Sequence, residues 1–69
     1  MKPTQEEIDQ YRQAYQAEVR RINDEPGGEP LKGEALDDVL NGLSDKEIID
    51  LINQQVPPSS TANVALIYN

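Results

Sequence analysis

Thirteen Asp and Glu side chains are the most abundant reactive groups of this chain, and it has no His or Cys to work beside them. Without His it lacks the commonest general base at neutral pH and the commonest metal ligand. Without Cys it has no thiolate nucleophile, no soft metal site and no disulfide. Carboxylates alone run acid–base chemistry when burial sets two of them to different proton affinities, which needs a cleft in a sizeable core. A chain of 69 residues makes one small domain at most and buries only about 60% of its unfolded surface. The stretch Glu25-Pro26-Gly27-Gly28-Glu29-Pro30-Leu31-Lys32 has neither the spacing nor the Ser/Thr of a phosphate loop. Asp37, Asp38, Asn41 and Gly42 do not alternate as the ligands of a calcium loop do. The chain is therefore read as non-enzymatic, with no catalytic residue, cofactor or metal. What remains for the carboxylates is to act as charges.

Their placement is uneven. Residues 1–23 set Lys2, Arg12, Arg20 and Arg21 against Glu6, Glu7, Asp9 and Glu18 and balance to zero. Residues 24–50 hold nine acids against Lys32 and Lys46, which is the entire net charge of −7, and residues 51–69 hold no charged side chain. Such a balance opposes phosphate backbones and suits a protein partner with a basic or mixed surface. Glu34, Asp37, Asp38, Asp45, Glu47 and Asp50 are the expected contact residues.

The elements that must carry these charges are helical. Thr4 and Glu7 form a capping box ahead of a helix over 4–23, with Glu6, Glu7 and Asp9 at its positive end. Ile8, Tyr11, Tyr15, Val19 and Ile22 recur at spacings of three and four, a stripe about 80° wide, closer to a coiled-coil seam than to an ordinary surface helix. That stripe packs on the helices that follow or pairs with its copy as a homodimer seam. Residues 23–30 break the helix with two Pro and two Gly.

A short helix is expected from Gly33 to Asn41, closed by Gly42 in the left-handed position. Ser44 and Glu47 make a second capping box, and Leu43 with Ile48 has the spacing of a hydrophobic staple. Ile48, Ile49, Leu51, Ile52 and Val56 make the third helix apolar on more than one side, so it is expected to sit centrally. Pro57-Pro58-Ser59-Ser60-Thr61 reads as a linker. The uncharged end has β propensity from Val64, Ile67 and Tyr68.

Asn41 to Ile52 resembles the corner of a helix-turn-helix: a helix, a Gly-Leu turn and a capped helix with Ile48 inward. The resemblance covers about twenty residues and departs at Asp38, where a small residue is usual. Asp45 and Glu47 also stand where a reading helix needs cations or amides.

The fold expectation is all-α: a three-helix domain over residues 1–56, its long first helix flanking a hairpin of the second and third. A Pro/Ser linker and an extended apolar tail follow over 57–69. The core is expected from Ile8, Tyr11, Tyr15, Val19, Ile22, Leu36, Val39, Leu40, Leu43, Ile48, Ile49, Ile52 and Val56. The function expectation is a small acidic regulator or inhibitor that binds another protein. Leu66, Ile67 and Tyr68 are a second contact segment. Size and charge are analogous to phage and mobile-element products. No apolar leader and no membrane-length run is present, so the cytoplasm is the expected location. A nucleic-acid-binding regulator and a structural subunit of a larger assembly are the alternatives.

Overall fold

Thr4 and Ser44 open two of the four helices found in the computed structural model, which describes residues 2–67. In chain order these are α1 (Gln5–Asn23), α2 (Gly33–Leu40), α3 (Asp45–Asn53) and α4 (Pro58–Ile67). Both capping boxes are formed. The Thr4 hydroxyl accepts the Glu7 N–H and the Thr4 N–H donates to the Glu7 carboxylate. Ser44 and Glu47 repeat the exchange. Ahead of these caps lie Pro3, which is buried, and Leu43, which is half-buried. Four residues beyond each cap, Ile8 and Ile48 are buried, the arrangement that fixes a helix's entry angle.

The long helix is the hub. α2, α3 and α4 each pack on α1, whose apolar stripe carries two small clusters in series. Ile8 and Tyr11 meet Ile48 of α3 in one. Tyr15 and Val19 meet Val39 and Leu40 of α2 and Ala62 of α4 in the other. Leu43 touches both. The expected central place for α3 is thus corrected: Ile48 is fully buried, while Ile49, Leu51 and Ile52 are half-buried. Length explains it. The 19 residues of α1 run about 28 Å and can seat three neighbours, whereas a nine-residue helix runs only about 13 Å. The body is accordingly elongated, 39 × 20 × 18 Å.

The largest correction concerns the end of the chain. Residues 58–67, expected as linker and extended tail, form α4. Pro58 occupies the first helical position, where a missing N–H is harmless and the ring presets φ. The Pro57 carbonyl accepts from the Ser60 and Thr61 N–H groups. Ala62 is fully buried against α1, and Ala65 and Leu66 are half-buried beside it. Small side chains let the two helices approach closely, and that packing overrides the β propensity of Val64 and Ile67. Tyr68 lies outside the described residues.

α1 also satisfies the backbone ends of its neighbours. Helix C-termini leave carbonyls without intrahelical donors. The Tyr15 hydroxyl donates to Val39 O at 2.7 Å, Gln16 Nε2 to Leu40 O at 3.1 Å and Arg12 to Leu43 O at 3.3 Å. Tyr11 donates to Val56 O and meets the Thr61 hydroxyl, each at 2.8 Å. No side-chain polar atom is left buried without a partner among the described residues.

Two turns depart from expectation. Gly42 is not left-handed. A Cβ there would lie 2.7 Å from Asp38 O, so glycine is required by close approach rather than by φ. The left-handed position belongs instead to Gln55, at φ 60°. Gln55 N–H bonds Ile52 O and Val56 N–H bonds Leu51 O, the two bonds of a Schellman ending. α3 therefore stops at Asn53, and Val56, expected on the helix, lies beyond its cap. An L-residue in this conformation is strained by roughly 1–2 kcal/mol. Gln55→Gly is expected to raise stability by about 0.5–1 kcal/mol, part of the relief being offset by glycine's unfolded-state entropy. A urea midpoint that is unchanged or lowered would contradict this.

Candidate interaction surface

The acidic residues of α2 and α3 follow from the same packing. Val39, Leu40 and Ile48 turn inward, which leaves Glu34, Asp37, Asp38 and Asp50 exposed on the outer sides of their helices. These four carboxylates make no hydrogen bond or ion pair among the described residues.

The other two predicted contact residues are engaged within the chain. Asp45 accepts a 2.5 Å bond from Arg12 and a longer one from Gln5. The Arg12 hydrogen bond, reinforced by that residue's charge and by Gln5, holds the Asp45 carboxyl below its ordinary range. Glu47 closes the α3 capping box, and its bonds from the Ser44 backbone and hydroxyl hold it low as well. The carboxylates thus split into four free charges and two structural ones.

The engagement of Asp45 has a pH signature. A folded-state proton affinity below the unfolded one contributes stability above the unfolded pKa, about 4, which is lost as pH falls through the folded value. The difference in thermal midpoint between the native chain and Asp45→Asn is expected to be largest near neutrality and to close below about pH 4. It is a small difference, because the pair is half-exposed. A gap that persists undiminished to pH 2 would remove Arg12–Asp45 from the account.

The cations do not gather. Arg12 lies against Asp45 and Asp9, and Arg21 against Glu18 and Glu25. Arg20 is exposed on α1 without an ion pair among the described residues.

The stripe Ile8, Tyr11, Tyr15, Val19 and Ile22 is covered from within the chain. Its first four members are buried and Ile22 is half-buried. Burial beside α2 pushes the Tyr15 phenol up from its ordinary pKa, with a smaller contribution from the Glu47 charge.

At the other end of α1 the picture is more open. Val64 and Ile67 on the outer side of α4 are 54% and 75% exposed, while Leu66 faces a cleft. That cleft, about 310 Å³ in volume, lies between the loop after α1 and the end of α4. Sequence reasoning missed it, since its walls come from two segments far apart in the chain, residues 22–31 and Leu66. The pairing of Asn23 with Leu31 closes the loop: Nδ2–H donates to Leu31 O at 2.9 Å, and Oδ1 accepts the Leu31 N–H at 2.8 Å.

Among the described residues no group of three acidic side chains is placed to hold a metal ion, and no helix is long and apolar enough to cross a membrane. Comparison of the chain with protein-family models, curated proteins and solved structures gives no match.

Proposed function

We propose that this protein is a non-enzymatic interaction module, a small regulator or inhibitor whose acidic α2–α3 side docks on a basic surface of another protein. The observation that carries the reading is the set of four exposed, unpaired carboxylates, Glu34, Asp37, Asp38 and Asp50. Unpaired charges of one sign raise the encounter rate with a basic partner and repel other acids. The same field works against duplex binding. The corner formed by α2 and α3 resembles a helix-turn-helix, but Arg12 is held by Asp45 and Asp9 rather than offered to phosphates.

The test leaves the two structural acids alone. Combined Glu34→Gln, Asp37→Asn, Asp38→Asn and Asp50→Asn is expected to preserve the helical circular-dichroism spectrum and the melting midpoint. It is expected to weaken binding to a basic protein captured by the native chain by about tenfold or more, as charge-dominated contacts do. The native interaction should also weaken steeply with salt. Equal capture by the neutralised chain would reduce the acidic side to a solubility device.

A second reading, a subunit of a larger assembly, draws on the exposure of Val64 and Ile67. Light scattering separates the two: a closed oligomer at micromolar concentration favours the subunit.

A further inference from the structure

Tyr11 reaches Thr61 at the start of α4, and Ile22, near the end of α1, shares the cleft with Leu66, near the end of α4. α4 therefore runs parallel to α1, and both C-termini arrive at the same end of the molecule. Each helix C-terminus carries roughly half an elementary negative charge. The cleft between them has an apolar floor of Ile22, Leu31 and Leu66 and a rim that includes Glu25 and Glu29. Glu25 shares Arg21 with Glu18. Glu29 is exposed and has no hydrogen bond or ion pair among the described residues.

No Lys or Arg lines the cleft, and the Asn23 amide is bound to Leu31 through Oδ1 and one of its N–H groups, so an anion would meet no cation among the lining side chains. The volume, about 310 Å³, is at the lower limit for a complete small-molecule ligand but ample for one long side chain. Methylenes on the floor and a positive head at the rim are what lysine and arginine supply. We propose that the cleft takes a lysine or arginine side chain from an exposed basic segment of the partner protein. The proposal rests on the reading of a basic partner and gives that partner a second anchor, at the opposite end of α1 from Asp45.

The test is an amide NMR titration of the full chain with capped Gly-Ser-Gly-X-Gly-Ser peptides, where X is lysine, norleucine or glutamate. The lysine peptide is expected to shift amides of the loop after α1 and of Leu66. Norleucine should bind about fivefold more weakly, the ratio expected of one exposed ion pair, and glutamate should not bind. Glu29→Gln lies on an exposed loop and should bring lysine down to the norleucine level with the spectrum otherwise unchanged. Equal binding of lysine and norleucine, or spermidine binding as well as the peptide, would overturn the proposal. Shifts confined to amides around Asp37, Asp38 and Asp50 would also overturn it while leaving the acidic-surface reading intact. Cleft shifts without any at α2 and α3 would support the cleft, and the acidic-surface reading would stand or fall on its own neutralised chain.

Discussion

A chain ending at Val56 is expected to lose its cooperative thermal transition. The truncation removes Ala62, which is fully buried, and the half-buried Ala65 and Leu66, all packed against the Tyr15–Val19 cluster. It also leaves the Tyr11 hydroxyl without Thr61. A domain of this size has roughly 3–10 kcal/mol of stability in total. Re-exposing one flank of α1 takes away stabilisation of that order, because burial of each medium-sized apolar side chain is worth about 1.5–3 kcal/mol. Circular dichroism should show reduced helicity and a shallow, non-sigmoidal melt. Were the chain over 1–56 to melt sharply near the native midpoint, α4 would be a surface addition and residues 1–56 a self-sufficient domain.

Ile48→Ala is expected to be the most damaging single substitution on α3. Ile48 is fully buried and bridges α3 to Ile8 and Tyr11. Truncating such a side chain costs about 2–5 kcal/mol, made up of lost transfer energy and the cavity left behind. Against the small total available, much of the population should be unfolded at 25 °C. Ile49→Ala changes the same atoms at the next residue but on a half-exposed side, so it should cost less than half as much. Urea denaturation of the pair checks the claim. Equal losses would mean that α3 is held by its whole circumference, as the sequence pattern alone implied.

The features that were readable in the sequence are local ones. A capping box needs only residues three apart, so the starts of α1 and α3 could be placed from Thr4, Glu7, Ser44 and Glu47. The stripe on α1 needs only helical periodicity, and Ile8, Tyr11, Tyr15 and Val19 are indeed buried. α4 was not readable for three reasons. Pro57-Pro58 is as good a helix start as a break. No charge marks an outer face. The inner face relies on alanines, whose burial leaves a weak pattern, beside Val64 and Ile67 pointing outward.

The acidic stretch was legible in composition, but which of its carboxylates are engaged within the chain was not. Asp45 is taken by Arg12, 33 residues away, and no local rule connects them. Glu47 is different: the capping box already implied that its carboxylate was engaged. Gly42 shows a further limit. The need for glycine was recognisable, but the reason, the Asp38 carbonyl under its Cα, is a matter of distance rather than of backbone sign.

The seating of the last helix on the first bears on how quickly the native state can be reached. Helical domains usually fold fast because most of their contacts are close in sequence. Here the hydroxyl contact between Tyr11 and Thr61 joins positions 50 apart, and the Tyr15–Val19 cluster is incomplete until Ala62 arrives. The closure entropy of nearly the whole chain must be met before that contact rewards it. Refolding is therefore expected to be a single late event, slower than that of a bundle of similar length wired between sequence neighbours.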